Sequence, residues 1–185
     1  IHPDPELEAY LDDLIAKMAA SQEDDGYLYT ARTIAERNGT ADQLSSDQEG
    51  KTRWSHLRVN HELYNVGHMY EAAVAYFRAT GKRNLLDVAI KNADLIDQVF
   101  GPDKIRDVPG HQEIEIGLVK LYQVTGDEKY LRLSKFFLDE RGHANNRDLY
   151  VNFDNLGYMQ DHQPIVEQSE AVGHSVRAGY LYSGI

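Results

Sequence analysis

Apolar side chains recur along this chain at the spacing of helix faces. Leu7, Leu11, Leu14, Ile15 and Met18 fall three or four positions apart, which predicts a helix over residues 5–20, with Pro5 suited to its first turn. A turn at Asp25-Gly26 ends that element. The same period returns over 61–80, where Gly81 is the expected C-cap, and again over 84–99, 110–126, 127–142 and 166–184. No stretch reads as a convincing strand. The pattern therefore predicts six helices in an all-α fold, separated by two long polar loops at about 31–57 and 143–163.

These helices are of two kinds. Residues 84–99 and 127–139 are amphipathic, with Leu85, Val88, Ala89, Leu95 and Ile96 set against Asp87, Lys91, Asp94 and Gln98 in the first of them. Helix 111–124 is apolar around its axis, through Ile114, Ile116, Leu118, Val119, Leu121, Tyr122 and Val124, and so predicts burial. Helix 61–80 is intermediate. At about 100° per residue, Leu63, Val66, Tyr70, Ala73, Val74 and Phe77 share one side, and His61, Asn65, His68, Ala72 and Ala75 the other. The pair Gly67-His68 recurs as Gly110-His111 and Gly173-His174, early in helices that end at Thr80-Gly81, Thr125-Gly126 and Ser183-Gly184. A repeat of helix pairs roughly every 40 residues is the mark of stacked α-hairpins. Buried helices alternating with amphipathic ones then fit a solenoid or a closed ring, with 61–80 and 111–125 on the inner layer and the histidines near its lumen.

Charge and composition narrow the partners. A chain of 185 residues suffices for one domain with a real core. A net charge of −11 argues against a nucleic-acid or anionic-membrane surface, which needs clustered Lys and Arg. No apolar run approaches the ~20 residues of a membrane span. No cysteine is present, so a disulfide framework and a thiolate metal site are both excluded within this chain. The chain opens on Ile1 rather than Met, as expected of a processed or trimmed piece.

Candidate chemistry centres on the histidines. His61-Glu62 begins the H-E-x-x-H pattern of a zinc protease, but Asn65 stands where the second histidine belongs. His68 comes seven residues after His61, roughly 10 Å along the axis at about 1.5 Å per residue, too far to share one ion. Glu62, Glu113, Glu115, Glu167 and Glu170 invite a paired-carboxylate mechanism, although capping and solvated faces account for most of them, and Glu113 and Glu115 stand only two apart. Tyr27, Tyr29 and Trp54 fit either a sugar-stacking surface or the core.

Four stretches in order, "HPDPELEAYLDDLIAKMAASQEDDGYLYT", "NHELYNVGHMYEAAVAYFRATGKRNLLDVAIKNADLI", "VPGHQEIEIGLVKLYQVTGDEKYL" and "DHQPIVEQSEAVGHSVRAGYLYSG", resemble glycoside hydrolase family 127 and its relative family 146. Only the two polar loops stand outside the resemblance. It implies that residues 1–185 are the N-terminal part of one (α/α)6-toroid catalytic domain, half a ring here, of a bacterial β-L-arabinofuranosidase acting on plant-derived arabinose-containing glycans. It implies a retaining mechanism with a cysteine nucleophile on a zinc ion held by one glutamate and further cysteines, and a second glutamate as general acid/base. All of these lie beyond Ile185, so this chain is expected to hold no catalytic residue and no zinc of its own, and to be inactive alone. Three substrate-binding histidines of the family match His61 in "NHELY", His111 in "PGHQEIE" and His174 in "AVGHSVRA", with His68 a second choice. The implied partners are a carbohydrate and either the remainder of the domain or a second copy, with neither nucleic acid nor membrane.

Two other readings fit the helical repeat. One is an α-solenoid binding module, against which stand the uneven spacing of the Gly-His pairs and the apolar 111–124 helix. The other keeps the toroid but makes it a polysaccharide lyase or an unsaturated-glycoside hydrolase.

Overall fold

In a computed structural model of the chain, which describes residues 3–44, 50–144 and 156–185, seven α-helices carry the fold. They are α1 (Pro5–Ser21), α2 (Thr30–Arg37), α3 (Glu62–Thr80), α4 (Asn84–Val99), α5 (Ile114–Thr125), α6 (Glu128–Glu140) and α7 (Ser175–Gly184). No strand occurs among the described residues beyond one isolated bridge, Phe100 with Ile105.

The helices begin and stop where local chemistry says they should. The Asp4 side chain accepts from Leu7 N at the start of α1, and Asp127 accepts from Lys129 N at the start of α6, each satisfying an orphan donor of the first turn. Gly81 and Gly126 end α3 and α5 in the left-handed region. Two hairpins follow, α3–α4 and α5–α6. α3 lies against α5, α4 against α6, α7 against α5 and α1 against α4. The inner layer is thus α3, α5 and α7, the outer one α1, α4 and α6, a partial (α/α)6 toroid built of helical hairpins.

Between the layers sits one apolar core: Leu63, Val66, Tyr70, Ala73 and Val74 of α3, Leu86, Ala89, Ala93 and Ile96 of α4, Ile114, Leu118 and Leu121 of α5, and Tyr130, Leu133 and Phe137 of α6. α3 meets α5 backbone to backbone. A Cβ on Gly67 would stand 2.7 Å from Ile114 N, and one on Gly117 2.7 Å from Gly67 O, so neither site takes a side chain without parting the helices.

Three sequence expectations are corrected. Residues 31–57 are not all loop, because α2 forms there and turns Arg32, Thr33 and Ala35 inward while Ile34 is exposed. Its inward face is polar, since Arg32 donates to the Gly50 and Lys51 carbonyls, and hydrophobic periodicity cannot see such a helix. α5 begins at Ile114 rather than near 110, and α7 at Ser175 rather than 166. In both cases a glycine is pressed against a neighbouring backbone just ahead of the helix: a Cβ on Gly110 would lie 2.0 Å from Arg58 O, and one on Gly173 2.0 Å from Gly157 O. The 143–163 stretch is likewise more than an exposed loop. Residues 145–155 of it, and 45–49 of the first loop, lie outside the described residues, but Met159, Gln160 and Asp161 are buried.

Candidate functional site

The first turns of α3, α5 and α7 all end at one place, and each brings a histidine to it. His61 is the residue before α3, His111 stands in the turn before α5, and His174 is the residue before α7. The ring centroids of His61 and His111 are 6.3 Å apart, and those of His111 and His174 6.5 Å. Two tyrosines fill the space beside them. Tyr64 lies 4.2 Å from His111 and 5.5 Å from His61, and Tyr180 5.3 Å from His111 and 6.1 Å from Tyr64. His68, two turns into α3, packs on Tyr64 and Tyr180 at 4.6 and 5.7 Å, and its Nδ1 lies 3.1 Å from Glu113 Oε1. The result is a cup of imidazoles and phenols, half-buried, at the N-terminal end of the inner layer.

Each histidine is placed by a different device. His61 adopts a left-handed backbone, φ 60°, which costs a non-glycine residue about 1 kcal/mol or more. The neighbouring Glu62 holds it there. Its buried carboxylate accepts from Tyr27 Oη, from Asn60 Nδ2 at 2.5 Å and from Trp54 N at 3.1 Å. Burial raises the Glu62 pKa, opposed by these same hydrogen bonds. Tyr27 and Trp54, candidates for sugar stacking, instead pack edge to face on each other at 5.1 Å, and Trp54 on Phe100 at 5.6 Å. They belong to the core.

His111 and His174 are set by a buried polar weave. Gln112 donates to Met159 O and Gln160 Oε1 at 2.9 and 3.0 Å, tying the turn before α5 to the 156–161 segment. Gln160 in turn donates to Val172 O at 2.9 Å and His174 O at 3.3 Å. Arg141, fully buried at the end of α6, donates to Pro109 O and Met159 O at 2.9 and 3.0 Å and lies 3.6 Å from Glu115 Oε1. Arg177 of α7 donates to Gly110 O at 2.6 Å and lies over the Tyr158 ring. Burial, helped by the positive charge of Arg177 and the neighbouring histidines, pushes the His111 pKa down to about 4, so this ring is neutral near pH 7.

A second cluster lies behind the cup. Glu113 is fully buried at the start of α5, beside Glu71 of α3, whose carboxylate contacts Lys120. Burial, and then the proximity of Glu71, push the Glu113 pKa up to about 9. The pair holds one proton between them near pH 7 while Glu71 stays charged against Lys120. Among the described residues, His68, Glu71 and Glu113 are also the one group whose donor atoms come within 4.8 Å of one another in a metal-ligand arrangement. A proton and a lysine already neutralise that trio, and it offers none of the thiolates that the family resemblance requires for zinc. The residues present therefore do not fit the family's zinc.

Of the other carboxylates weighed from sequence, Glu115 accepts from Glu113 N and meets Arg141, while Glu167 and Glu170 are exposed away from the cup. No pair of them flanks a common cavity as a hydrolytic acid and base. Sequence reasoning missed Tyr64, Tyr180, Gln112, Gln160, Arg141 and Arg177. Tyr64, Tyr180, Gln112 and Arg177 carried a signal, each lying beside or on the same helix as a flagged histidine, whereas Gln160 and Arg141 reach the site only through tertiary contacts.

Comparison with known proteins sets this chain in a family. The sequence model described as the beta-L-arabinofuranosidase, GH127 catalytic domain, matches residues 1–185. A non-reducing end beta-L-arabinofuranosidase of Bifidobacterium longum subsp. longum is 40% identical over all of this chain, which spans 29% of that protein. A crystal structure of a GH127 beta-L-arabinofuranosidase from Geobacillus stearothermophilus T6 superposes with a TM-score of 0.83 at 46% identity, over 98% of this chain and 28% of that one. A second solved structure, of a GH127 beta-arabinofuranosidase, gives a TM-score of 0.86 at 49% identity, over 99% of this chain and 27% of that one. The chain thus spans under a third of the length of these relatives, and it belongs to the glycoside hydrolase family 127 catalytic domains.

Proposed function

We propose that this chain is the sugar-recognising part of a glycoside hydrolase that removes β-L-arabinofuranosyl groups from the non-reducing ends of plant-derived glycans, its nucleophile and general acid/base lying beyond Ile185. The observation that carries the reading is the convergence of His61, His111 and His174, with Tyr64 and Tyr180, at the starts of three inner helices. A furanose presents hydroxyls on a compact ring. Imidazole and phenol groups are suited to it because each can donate or accept, and a half-buried site makes every unmatched hydroxyl costly. The three helix starts also present a positive field, which disfavours a cationic ligand and leaves a neutral sugar acceptable.

The chain's own residues bind and orient the sugar. They do not supply the two groups that retaining hydrolysis places about 5 Å apart across the scissile bond. In the complete enzyme, the zinc implied by the family would lower the pKa of a bound cysteine and so ready it as nucleophile.

The test is hydrolysis of a chromogenic β-L-arabinofuranoside by the complete protein and by residues 1–185 alone. Release by the complete protein, none by the fragment with or without zinc, and a rise in KM of roughly tenfold or more for His111→Ala in the complete protein are expected. Turnover by the fragment, or complete indifference to His111→Ala and His174→Ala, would overturn the reading.

A further inference from the structure

Two of the three histidines are locked by the backbone in opposite tautomers. His111 Nδ1 lies 2.9 Å from the Gln112 carbonyl oxygen. A carbonyl only accepts, so Nδ1 must carry the proton, and in the neutral ring Nε2 is left as a bare acceptor. His174 is the mirror case. Its Nδ1 accepts the Arg177 backbone N–H at 3.4 Å as the N-cap of α7. A backbone N–H only donates, so Nδ1 is bare and Nε2 carries the proton. The sign of each free nitrogen is therefore fixed by folding, before any ligand arrives.

Resting on the reading of this cup as a sugar site, we infer that His111 and His174 form a polarised pair that recognises one unsubstituted hydroxyl, which donates to His111 Nε2 and accepts from His174 Nε2–H. The spacing suits this. A hydroxyl oxygen about 2.8 Å from each nitrogen spans ring centroids up to roughly 8 Å apart, and these stand 6.5 Å apart, so the oxygen sits at a bent, near-tetrahedral angle. An ether or a fluorine at that position can accept from His174 but leaves His111 without a donor. A deoxy position leaves both unpaired. The weave keeps the pair in register, because Gln160 donates to the His174 carbonyl while Gln112, whose carbonyl holds His111, donates to Gln160. Arg177 adds to it by donating to Gly110 O beside His111 and from its backbone to His174.

The experiment is 15N NMR of histidine-labelled complete protein, with signals assigned through His111→Asn and His174→Asn. Expected are Nδ1–H with a bare Nε2 for His111 and the reverse for His174. The same tautomer on both, or Nε2–H on His111, overturns the inference. The second arm measures KM for an arabinofuranoside and for its singly deoxy, fluoro and O-methyl analogues. At one hydroxyl the fluoro and O-methyl analogues should lose roughly tenfold, and wild type and His174→Asn should converge on the deoxy analogue. Asparagine preserves the α7 cap through its carbonyl oxygen, while its shorter amide cannot place an N–H where the imidazole Nε2–H stands, so an unchanged circular-dichroism melt with a raised KM separates recognition from folding. Equal KM for His174→Asn and wild type on the parent glycoside overturns the pair. Should the wild type ignore arabinofuranosides altogether, the sugar reading falls and takes the ligand half of the inference with it. Correct binding with reversed tautomers removes only the inference.

Discussion

The apolar core between the two helical layers and the polar weave under the histidines are both buried, yet they are built on opposite principles. In the core, Leu118, Leu121, Ile96 and Phe137 are fully shielded and interchangeable in kind, since dispersion and the hydrophobic effect have no direction. In the weave, Arg141, Gln112, Gln160 and Glu115 are buried as well, but each hydrogen bond matters because its partner is a particular carbonyl or amide. The core can be altered and still hold the helices. The weave cannot be altered without moving the loops that carry His111 and His174. Stability is thus spread widely through one region and function concentrated in the other.

The sharpest way to break that contrast is to remove Arg141. Replacement by Met fills the volume but strips two carbonyls of a donor and leaves Glu115 facing no cation, at a cost of about 3–5 kcal/mol in a region with no apolar redundancy. The thermal midpoint of the catalytic domain should fall steeply, and KM for an arabinofuranoside should rise with it. Leu118→Ala in the core should cost a similar or smaller amount, about 2–5 kcal/mol, and leave KM where it was. Equal effects of the two variants on KM, read from initial rates well below their melting points, would erase the distinction.

A smaller effect comes from Glu113. Its folded pKa is raised above the ordinary carboxylate value to about 9, first by burial and then by Glu71. The folded protein therefore keeps a proton that the unfolded chain gives up. The contribution is fully present below the unfolded pKa and is lost as pH rises through the window up to about 9. Glu113→Gln imitates the protonated form and cannot titrate. Wild type should lose thermal stability between pH 6 and 9 more steeply than the variant, with the variant the more stable at the alkaline end. Parallel pH–stability curves would show that Glu113 is ionised in the fold after all.

How much of this was legible beforehand depended on whether burial was apolar. The extents of α1, α4 and α6 follow from the helical spacing of their apolar residues, and the structure adds Asp caps at the starts of α1 and α6. α2 hid because Arg32 and Thr33 point inward, where a periodicity argument expects leucine. The sequence predicts too early a start for α7 because 166–174 has helix-compatible composition, whereas Gly173, left-handed and pressed against Gly157, stands just ahead of the helix. The Gly-His pairs were visible as a repeat, and the structure gives the repeat a cause: all three glycines are points of backbone contact, at Ile114, Arg58 and Gly157. What could not be read was the weave. Its partners are far apart in sequence, Gln112 with Met159 and Arg177 with Gly110, and polar residues in polar loops look alike until the loops meet.

The smallest expected effect tests whether the site carries backbone strain that the core helices do not. Core helices keep ordinary backbone geometry, whereas His61 sits at φ 60° with its side chain turned towards the cup and making no cap hydrogen bond. Left-handed geometry costs a side-chain-bearing residue about 1 kcal/mol relative to glycine, and the Glu62 cradle of Tyr27, Asn60 and Trp54 holds the turn in place regardless of which residue stands there. His61→Gly should therefore leave the fold intact and raise stability by about 0.5–1 kcal/mol, while His61→Ala, which keeps a Cβ in the same geometry, should not. Both variants lose the imidazole, so both should weaken arabinofuranoside binding to the same extent. A glycine variant less stable than the alanine variant would mean that the left-handed turn relaxes once the imidazole is gone, and that the strain belongs to the histidine's own contacts with Tyr64 and His111 rather than to the turn built beneath it.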